Sequence, residues 1–361
     1  MKTIEVKTTF PYKIIIGNKA YSKLIPVIKK QALGNYGIII TNQTIHKIFG
    51  KVFTRIFPKD KSISFKTISL PDTEKIKSFT FLLKLINRIG ALDFKKQPFI
   101  ICWGGGVIGD LGGFAASIYK RGIPYIQMPT TLLAQIDSSI GGKTALDLKT
   151  AKNLIGSFFQ PKAVISDTNF LNTLPLSQMR EGLAEAVKYS LIDGHGLLNF
   201  IEENISEILE KKEKHLTNLI LRCAEIKAKI VADDEREIKG IRTILNLGHT
   251  VGHGIEASSN YRISHGKAVG LGLIAALKIS NQTGILKNTK LTKRIINLLT
   301  NIGLPSKIKL NKEKVLEAIK RDKKFIKGKT RLVLIKDPAR PVVRNDIKIS
   351  YILKGINAVT A

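Results

Sequence analysis

The sequence predicts an α/β amino-terminal domain with a mostly parallel sheet, followed by a mainly α-helical carboxy-terminal domain. Three observations carry this. The first half alternates β-branched apolar runs with helical patterns, the mark of strand–helix–strand units. After Leu174-Pro175 the strand signals fade and long 3.6-residue periodicities take over. The length, 361 residues, exceeds what one hydrophobic core usually serves. The expected division is 1–175 and 176–361, a change of class with no low-complexity linker and no internal repeat.

Taken in order, Met1–Lys7 alternates like a strand. Strand runs follow at Lys13–Gly17, Tyr36–Asn42, Ser62–Leu70, Pro98–Trp103, Ile123–Met128 and Ala163–Asp167. Helical patterns at Asn18–Lys30 and Thr73–Ile89 lie between them. A ligand site is expected at the carboxyl ends of such strands. In the second half helices are expected at Leu176–Leu191, Leu197–Lys212, His215–Ala232, Leu247–Ala257, Lys267–Thr283, Lys290–Asn301 and Lys312–Arg321. Two late strands, Thr330–Ile335 and Pro341–Ile347, lead into a turn-rich tail. Two domains that meet closely form a natural cleft for a ligand.

Composition excludes several classes. No apolar run reaches the roughly 20 residues needed to span a bilayer, and the start has no signal-peptide core. Cys102 and Cys223 are far apart in apolar segments and suit reduced thiols in a cytoplasmic compartment. The formal charge of +31 invites a nucleic-acid reading. Its distribution argues otherwise: residues 1–178 hold 25 Lys and Arg against 9 Asp and Glu, and residues 179–361 hold 34 against 19. A spread this even, with aromatics at only 7%, is neither a basic arm nor a stacking platform. It suits a composition-wide bias, or a field that steers small anions.

Phe99-Ile-Ile-Cys-Trp103 runs into Gly104-Gly-Gly106-Val-Ile-Gly109-Asp110, which fits G-x-G-x-x-G after a strand and before a helix. Glycines there let backbone amides and a helix amino end approach a phosphate, although the same turn could serve packing alone. The motif follows a late strand, not the first, and no acidic residue ends the next strand, so it departs from the ordinary dinucleotide fingerprint. A second glycine pair, in Gln135-Ile-Asp137-Ser-Ser-Ile-Gly141-Gly142-Lys143-Thr144, lacks the upstream glycine of a P-loop. Lys143, Lys152 and Asn153 supply donors suited to phosphate or hydroxyl oxygens, though each alone reads as a solvated surface group.

Gly182-Leu-Ala-Glu185-Ala-Val-Lys188 places a carboxylate and an ammonium three apart on one helix face, a surface pair unless their small apolar neighbours bury them. The acidic run Asp233–Glu237 reads as a helix end. Three of the six histidines fall between His249 and His265. His249 and His253, four apart, stack on one helix face. Isolated histidines such as His46, His195 and His215 read as ordinary structural residues. The cluster reads as a metal or acid/base site, and Glu plus two or three His suits a zinc-like ion with a position open to substrate.

In order, these stretches resemble one family, the 3-dehydroquinate synthases. The matching segments are Gly104–Phe114, Pro129–Thr144, Gly182–Lys188 and Asn246–Ala257, within a likeness over roughly 70–340. The resemblance implies a Rossmann-like amino-terminal domain, a helical metal- and substrate-binding domain, and a lyase that converts 3-deoxy-D-arabino-heptulosonate 7-phosphate to 3-dehydroquinate and phosphate. It implies NAD+ as a cofactor regenerated in each turnover, a divalent metal (Zn2+ or Co2+), a cytoplasmic homodimer, and no nucleic-acid or membrane partner. In the reaction the resemblance implies, the C5 carbinol is oxidised, the C6 proton is thereby acidified, phosphate leaves, the ketone is reduced back and the ring closes.

Carried over residue by residue, the resemblance makes Glu185, His249 and His265 metal ligands and sets His253 beside them, facing substrate. Asp137, Lys143, Asn153, Lys188, Lys227, Arg242 and Asn246 match substrate-lining positions. Arg121 and Lys324 match further phosphate contacts, with the choice between Lys323 and Lys324 open. For NAD+ the matching positions are Asn42, Asp72, Thr73, Glu74, Lys75, Ile76, Lys77, Gly106, Val107, Ile108, Gly109, Asp110, Thr130, Thr131, Lys143, Lys152, Phe170, Leu171, Asn172 and Thr173. This chain departs from the family pattern by one residue more between Lys227 and Arg242, one fewer between His253 and His265, and Lys267 where the family has Glu. A related sugar-phosphate cyclase or a metal-dependent alcohol dehydrogenase is the competing enzyme reading. A basic nucleic-acid-binding module is the competing class, and it leaves the glycine loops and histidines unexplained.

Overall fold

The structure is a computed structural model that describes residues 1–58, 62–93, 96–148, 152–321, 325–326 and 329–361. The chain forms two compact units. The first comprises Met1–Leu174 and Leu216–Arg236, and the second Pro175–His215 and Glu237–Ala361.

The first unit is built on a seven-stranded sheet. Its strands are β1 (Lys2–Val6), β2 (Tyr12–Gly17), β3 (Tyr36–Asn42), β4 (Ser64–Leu70), β5 (Pro98–Gly104), β6 (Tyr125–Pro129) and β9 (Ala163–Asp167). Their order is β1-β2-β9-β6-β5-β3-β4, parallel throughout except for the β1–β2 pair. Every side chain of β5 and β9 is buried, as expected for strands covered on both faces. The helices are α1 (Leu24–Lys30), α2 (Gln43–Phe49), α3 (Phe53–Ile56), α4 (Phe79–Leu92) and α5 (Gly106–Ile118). Trp103 anchors one core among Phe49, Phe53, Phe57 and Phe170. α5 lies close on β5 because Gly112 carries no side chain: a Cβ there would sit 2.6 Å from Cys102 Sγ. In this unit the sequence reading missed the two strands of the antiparallel hairpin β7 (Lys143–Leu146) and β8 (Ile155–Phe158), whose polar and glycine-containing run hides the alternation.

The second unit holds α6 (Leu176–Asp193), α7 (His195–Glu203), α8 (Ile205–Leu209), α10 (His249–Ser258), α11 (His265–Gln282), α12 (Thr289–Ile302), α13 (Lys312–Arg321) and α14 (Ile349–Val359). Strands Leu332–Asp337 and Arg340–Arg344 pair antiparallel. Two expectations are corrected. The tail is helical over Ile349–Val359, its apolar residues Ile352, Ile356 and Val359 buried on one face. The single helix expected at Leu197–Lys212 breaks at Asn204, which separates α7 from α8.

α9 (Glu213–Asp233) lies beyond residue 175 in sequence. Residues 216–236 group with the first unit although residues of the second flank them in sequence. The links are specific and polar. Lys227 pairs with Asp137 and donates to its carbonyl at 2.8 Å. Glu235 accepts from Thr9 N and Oγ1, both at 2.8 Å, and from Gln160 Nε2 at 3.0 Å. The acidic run after α9 is therefore only partly a solvated helix end: Asp234 is buried and Glu235 is a tie.

Candidate functional site

In the first unit the candidate cofactor residues gather at the carboxyl ends of β3, β4, β5 and β6. Asn42 ends β3, caps α2 by accepting from Ile45 N at 2.8 Å, and donates Nδ2 to Asp72 Oδ1 at 2.8 Å. Gly105 is the N-cap of α5 and, having no side chain, leaves the helix amino end open. A Cβ on Gly105 would meet Thr131 Cγ2 at 3.1 Å, and one on Gly106 would meet Ser138 Oγ at 3.0 Å. Thr130 Oγ1 and Ser138 Oγ are buried with no hydrogen-bond partner among the described residues. Orphaned hydroxyls beside a side-chain-free helix start fit an incoming phosphate-bearing cofactor.

A charged network adjoins this loop. Lys77 is buried, donates to Asp110 Oδ2 at 2.8 Å and also to Asn153 Oδ1, and lies 3.6 Å from Asp147 Oδ1. Burial alone would lower the Lys77 ammonium, but Asp110 and Asp147 outweigh it and hold its pKa above the ordinary value. Burial pushes Asp110 upward against the pull of Lys77. Asn153 sits at φ +54°, and its N–H donates to Asp147 Oδ1 at 2.8 Å. Lys152 pairs with Glu74 at 2.7 Å. Asp137 lies in a single π-turn, Ala134–Ser138, and meets Lys227. Lys143 opens β7, exposed, its Nζ 6.0 Å from the Phe158 ring centroid.

Not every residue carried over presents its side chain to such a site. Ile76, Ile108, Phe170 and Leu171 are core residues, so any part they play is through backbone. Asn172 and Thr173 are exposed. Arg121 is exposed, at φ +64°, in the turn that follows α5. Lys324, with Asp322 and Lys323, lies outside the described residues.

The second unit holds the histidines. His249 opens α10 and His265 opens α11. The two helices approach closely where Gly272 meets Gly248; a Cβ on Gly272 would sit 2.0 Å from the Gly248 carbonyl oxygen. Gly266 lies against α6 at Glu181, one turn before Glu185. These approaches bring three donors together. Glu185 Oε1 is 3.3 Å from His249 Nε2 and 3.2 Å from His265 Nε2, and the three ligand atoms lie within 4.8 Å of one another. Lys188 Nζ is 2.6 Å from Glu185 Oε2, and both residues are buried, so this is no surface pair.

The electrostatics suit a cation. Burial alone would raise Glu185, but Lys188, His249 and His265 outweigh it and hold the carboxyl well below the usual range. Burial lowers His249 and favours the neutral ring that a metal needs. His249 Nδ1 is 3.1 Å from the Leu247 carbonyl, which suits a proton on Nδ1 and a lone pair on Nε2. For His265 burial is outweighed by hydrogen bonds with Glu185 and Glu256, which raise it to about 10. The His253 ring lies 5.3 Å from that of His249 and 6.2 Å from that of His265, half-buried beside the donors. One carboxylate and two imidazole nitrogens converging on one point fit a divalent zinc-like ion. Arg242 is buried and Asn246 half-buried in the turn before α10. Lys267 is exposed, so its charge faces solvent.

Two residues escaped the sequence reading. Asp147 carries no motif, and only the folded hairpin reveals its contacts. Glu256 was legible in principle: it stands seven after His249 and three after His253 on one helix face.

Comparison with known proteins defines first a class and then a family. Over 98% of this chain and 99% of its own, the crystal structure of 2-deoxy-scyllo-inosose synthase complexed with carbaglucose-6-phosphate, NAD+ and Co2+ superposes with a TM-score of 0.88 at 25% identity. An iron-containing alcohol dehydrogenase, covering 97% of each chain, shares the fold with a TM-score of 0.70 at 15% identity. The fold is thus that of the sugar-phosphate cyclases, with alcohol dehydrogenases more distant. Family models described as 3-dehydroquinate synthase N-terminal and C-terminal match residues 67–181 and 182–325. The 3-dehydroquinate synthase of Thermoanaerobacter pseudethanolicus is 39% identical over 98% of both chains. That of Buchnera aphidicola subsp. Baizongia pistaciae is 43% identical over 86% of both. The chain belongs to the 3-dehydroquinate synthase family.

Proposed function

We propose that the chain is a 3-dehydroquinate synthase, a carbon–oxygen lyase that converts 3-deoxy-D-arabino-heptulosonate 7-phosphate to 3-dehydroquinate and phosphate with catalytic NAD+ and a divalent metal. The observation that carries this reading is the convergence of Glu185 Oε1 with His249 Nε2 and His265 Nε2 in a chain of this family. When bound, NAD+ supplies a transient oxidation and the metal polarises the reacting hydroxyls.

The remaining roles fall to the chain's own groups. Glu185, His249 and His265 hold the metal, and Lys188 keeps Glu185 ionised. The glycine turn at Gly105–Gly109, Thr130 and Ser138 receive the cofactor phosphates, while Asn42 and Asp72 meet a ribose. Glu74, Lys77, Asp110 and Lys152 form the charged wall beside them. Lys143, Lys227, Arg242 and Asn153 bind the anionic substrate, with Asp137 and Asn246 orienting its hydroxyls. His253 moves a proton at substrate. Arg121 and Lys324 are further phosphate contacts in this reading.

The same reading has the protein acting as a homodimer in the cytoplasm, on a small anionic substrate and without nucleic acid. The even spread of basic residues and two buried free cysteines support it. No helix among the described residues is long and apolar enough to cross a membrane.

The test is purified protein with the heptulosonate phosphate, NAD+ and Zn2+ or Co2+. Phosphate release without net NADH formation is expected. Net NADH accumulation identifies a dehydrogenase, and metal- and NAD+-loaded protein that releases no phosphate overturns the synthase reading.

A further inference from the structure

Among the described residues, Glu256 is the one buried carboxylate at the histidine cluster to which the proposed reaction gives no task. It stands on α10, 4% exposed, with Oε2 3.3 Å from His265 Nδ1. The other ring nitrogen of the same histidine faces Glu185 Oε1 at 3.2 Å. His265 is therefore bracketed by two carboxylates, one at each nitrogen. His249 is held differently, with the neutral Leu247 carbonyl at its Nδ1.

The difference has a chemical consequence. An imidazole that gives Nε2 to a metal carries its proton on Nδ1, and whatever accepts that proton sets the ring's tautomer and orientation. A carboxylate does this more strongly than a carbonyl, because the hydrogen bond is charge-assisted, and it pushes electron density toward Nε2. Glu256 is itself fixed: its backbone carbonyl accepts from Tyr261 N and Ser259 Oγ, both at 2.8 Å, where α10 turns toward His265.

We propose that Glu256 is a positioning residue that locks His265 with its proton on Nδ1 and makes it the stronger of the two imidazole donors. The proposal rests on the metal reading above. One other arrangement shares His265 and Glu256: with His253 they also bring ligand atoms within 4.8 Å of one another. A second ion there would need His265 to give up both ring protons. The geometry of one proton shared with Glu256 requires no such imidazolate, so a single ion per chain is expected.

The experiment uses the full chain loaded with Zn2+, comparing wild type, E256A, E256Q and H249A by metal content and chelator competition. Wild type is expected to hold one ion per chain and H249A to lose it. E256A is expected to bind Zn2+ about 10–100-fold more weakly. E256Q should fall between, because its amide oxygen still accepts from Nδ1–H without the charge. Proton NMR of the Zn2+-loaded protein should show a downfield, slowly exchanging His265 Nδ1–H signal that E256Q shifts. The Co2+ absorption spectrum should move in E256Q as well, a change that mere loss of packing would not produce. Should E256A fail to fold, the near-isosteric E256Q still decides by these spectra. Unchanged Zn2+ affinity and spectra in the Glu256 variants, with H249A impaired, overturn this proposal alone. Wild type without bound Zn2+ overturns the metal reading and this proposal with it. Two ions per chain, the second lost in E256Q, also overturn it.

Discussion

The glycine turn of the first unit and the histidine cluster of the second are built from opposite materials. The turn is contiguous in sequence and works by leaving side chains out: Gly105 caps α5 with nothing, and neighbouring hydroxyls of Thr130 and Ser138 have no hydrogen-bond partner among the described residues. The cluster joins α6, α10 and α11, with Glu185 and His265 separated by 80 residues, and works by crowding charged side chains into a buried place. A backbone site tolerates changes around it but not a Cβ within it. A side-chain site depends on each donor and on the packing of all three helices.

The largest expected effect breaks the cluster. His249→Ala should abolish metal binding and lower phosphate release by roughly 1,000-fold or more, several kcal/mol of lost transition-state stabilisation. NAD+ affinity should survive, because the turn does not depend on the cluster. Metal analysis alongside equilibrium NAD+ titration checks both halves.

Next comes Lys227→Met, which leaves the Asp137 carboxylate without its buried partner. It should cost about 3 kcal/mol of stability, read by denaturant unfolding. A cost within error of zero would mean that the first unit does not rely on α9.

Gly105→Val tests the turn. Its Cβ would stand 3.1 Å from Thr131 Cγ2, with branched methyls beyond it in the mouth of the loop. NAD+ affinity should fall about tenfold, or roughly 1.4 kcal/mol, while metal content stays at the wild-type level.

The smallest effect is at Glu235, whose hydrogen bonds to Thr9 and Gln160 outweigh burial and hold it below its ordinary 4.5. A depressed carboxylate contributes stability that is present above pH 4.5 and lost as pH falls through the folded-state value. Glu235→Gln should therefore cost about 1 kcal/mol at pH 7, with the gap to wild type closing on acidification. Thermal unfolding from pH 7 to pH 3 follows it.

The two regions also differ in how far the sequence discloses them. Six of the seven sheet strands follow from β-branched runs, most clearly β5 and β9, because a strand buried on both faces must be apolar along its length. The β7–β8 hairpin escaped because its residues serve glycine turns and polar contacts. The glycine turn is a contiguous motif, legible directly. For the cluster, His249 and His253 follow from spacing on one helix, but nothing local ties Glu185 to them; that link came from family resemblance and then from helix packing. The turn-rich reading of the tail failed because Gly355 and Asn357 interrupt a helix whose buried face is otherwise regular. α9 was recognised as a helix, but the ties of Lys227 to Asp137 and, just beyond the helix, of Glu235 to Thr9 and Gln160 were not legible, since periodicity does not report partners.

The grouping of residues 216–236 with the first unit has a consequence for how the chain comes apart. The polypeptide leaves the first unit after Leu174, returns for residues 216–236, and leaves again. Neither unit is a single uninterrupted stretch, so no one cut separates them. A fragment ending at 174 lacks the lysine that neutralises Asp137, and one beginning at 175 carries a helix without its resting place. Three crossings of the chain, after Leu174, His215 and Arg236, tie the two units together covalently.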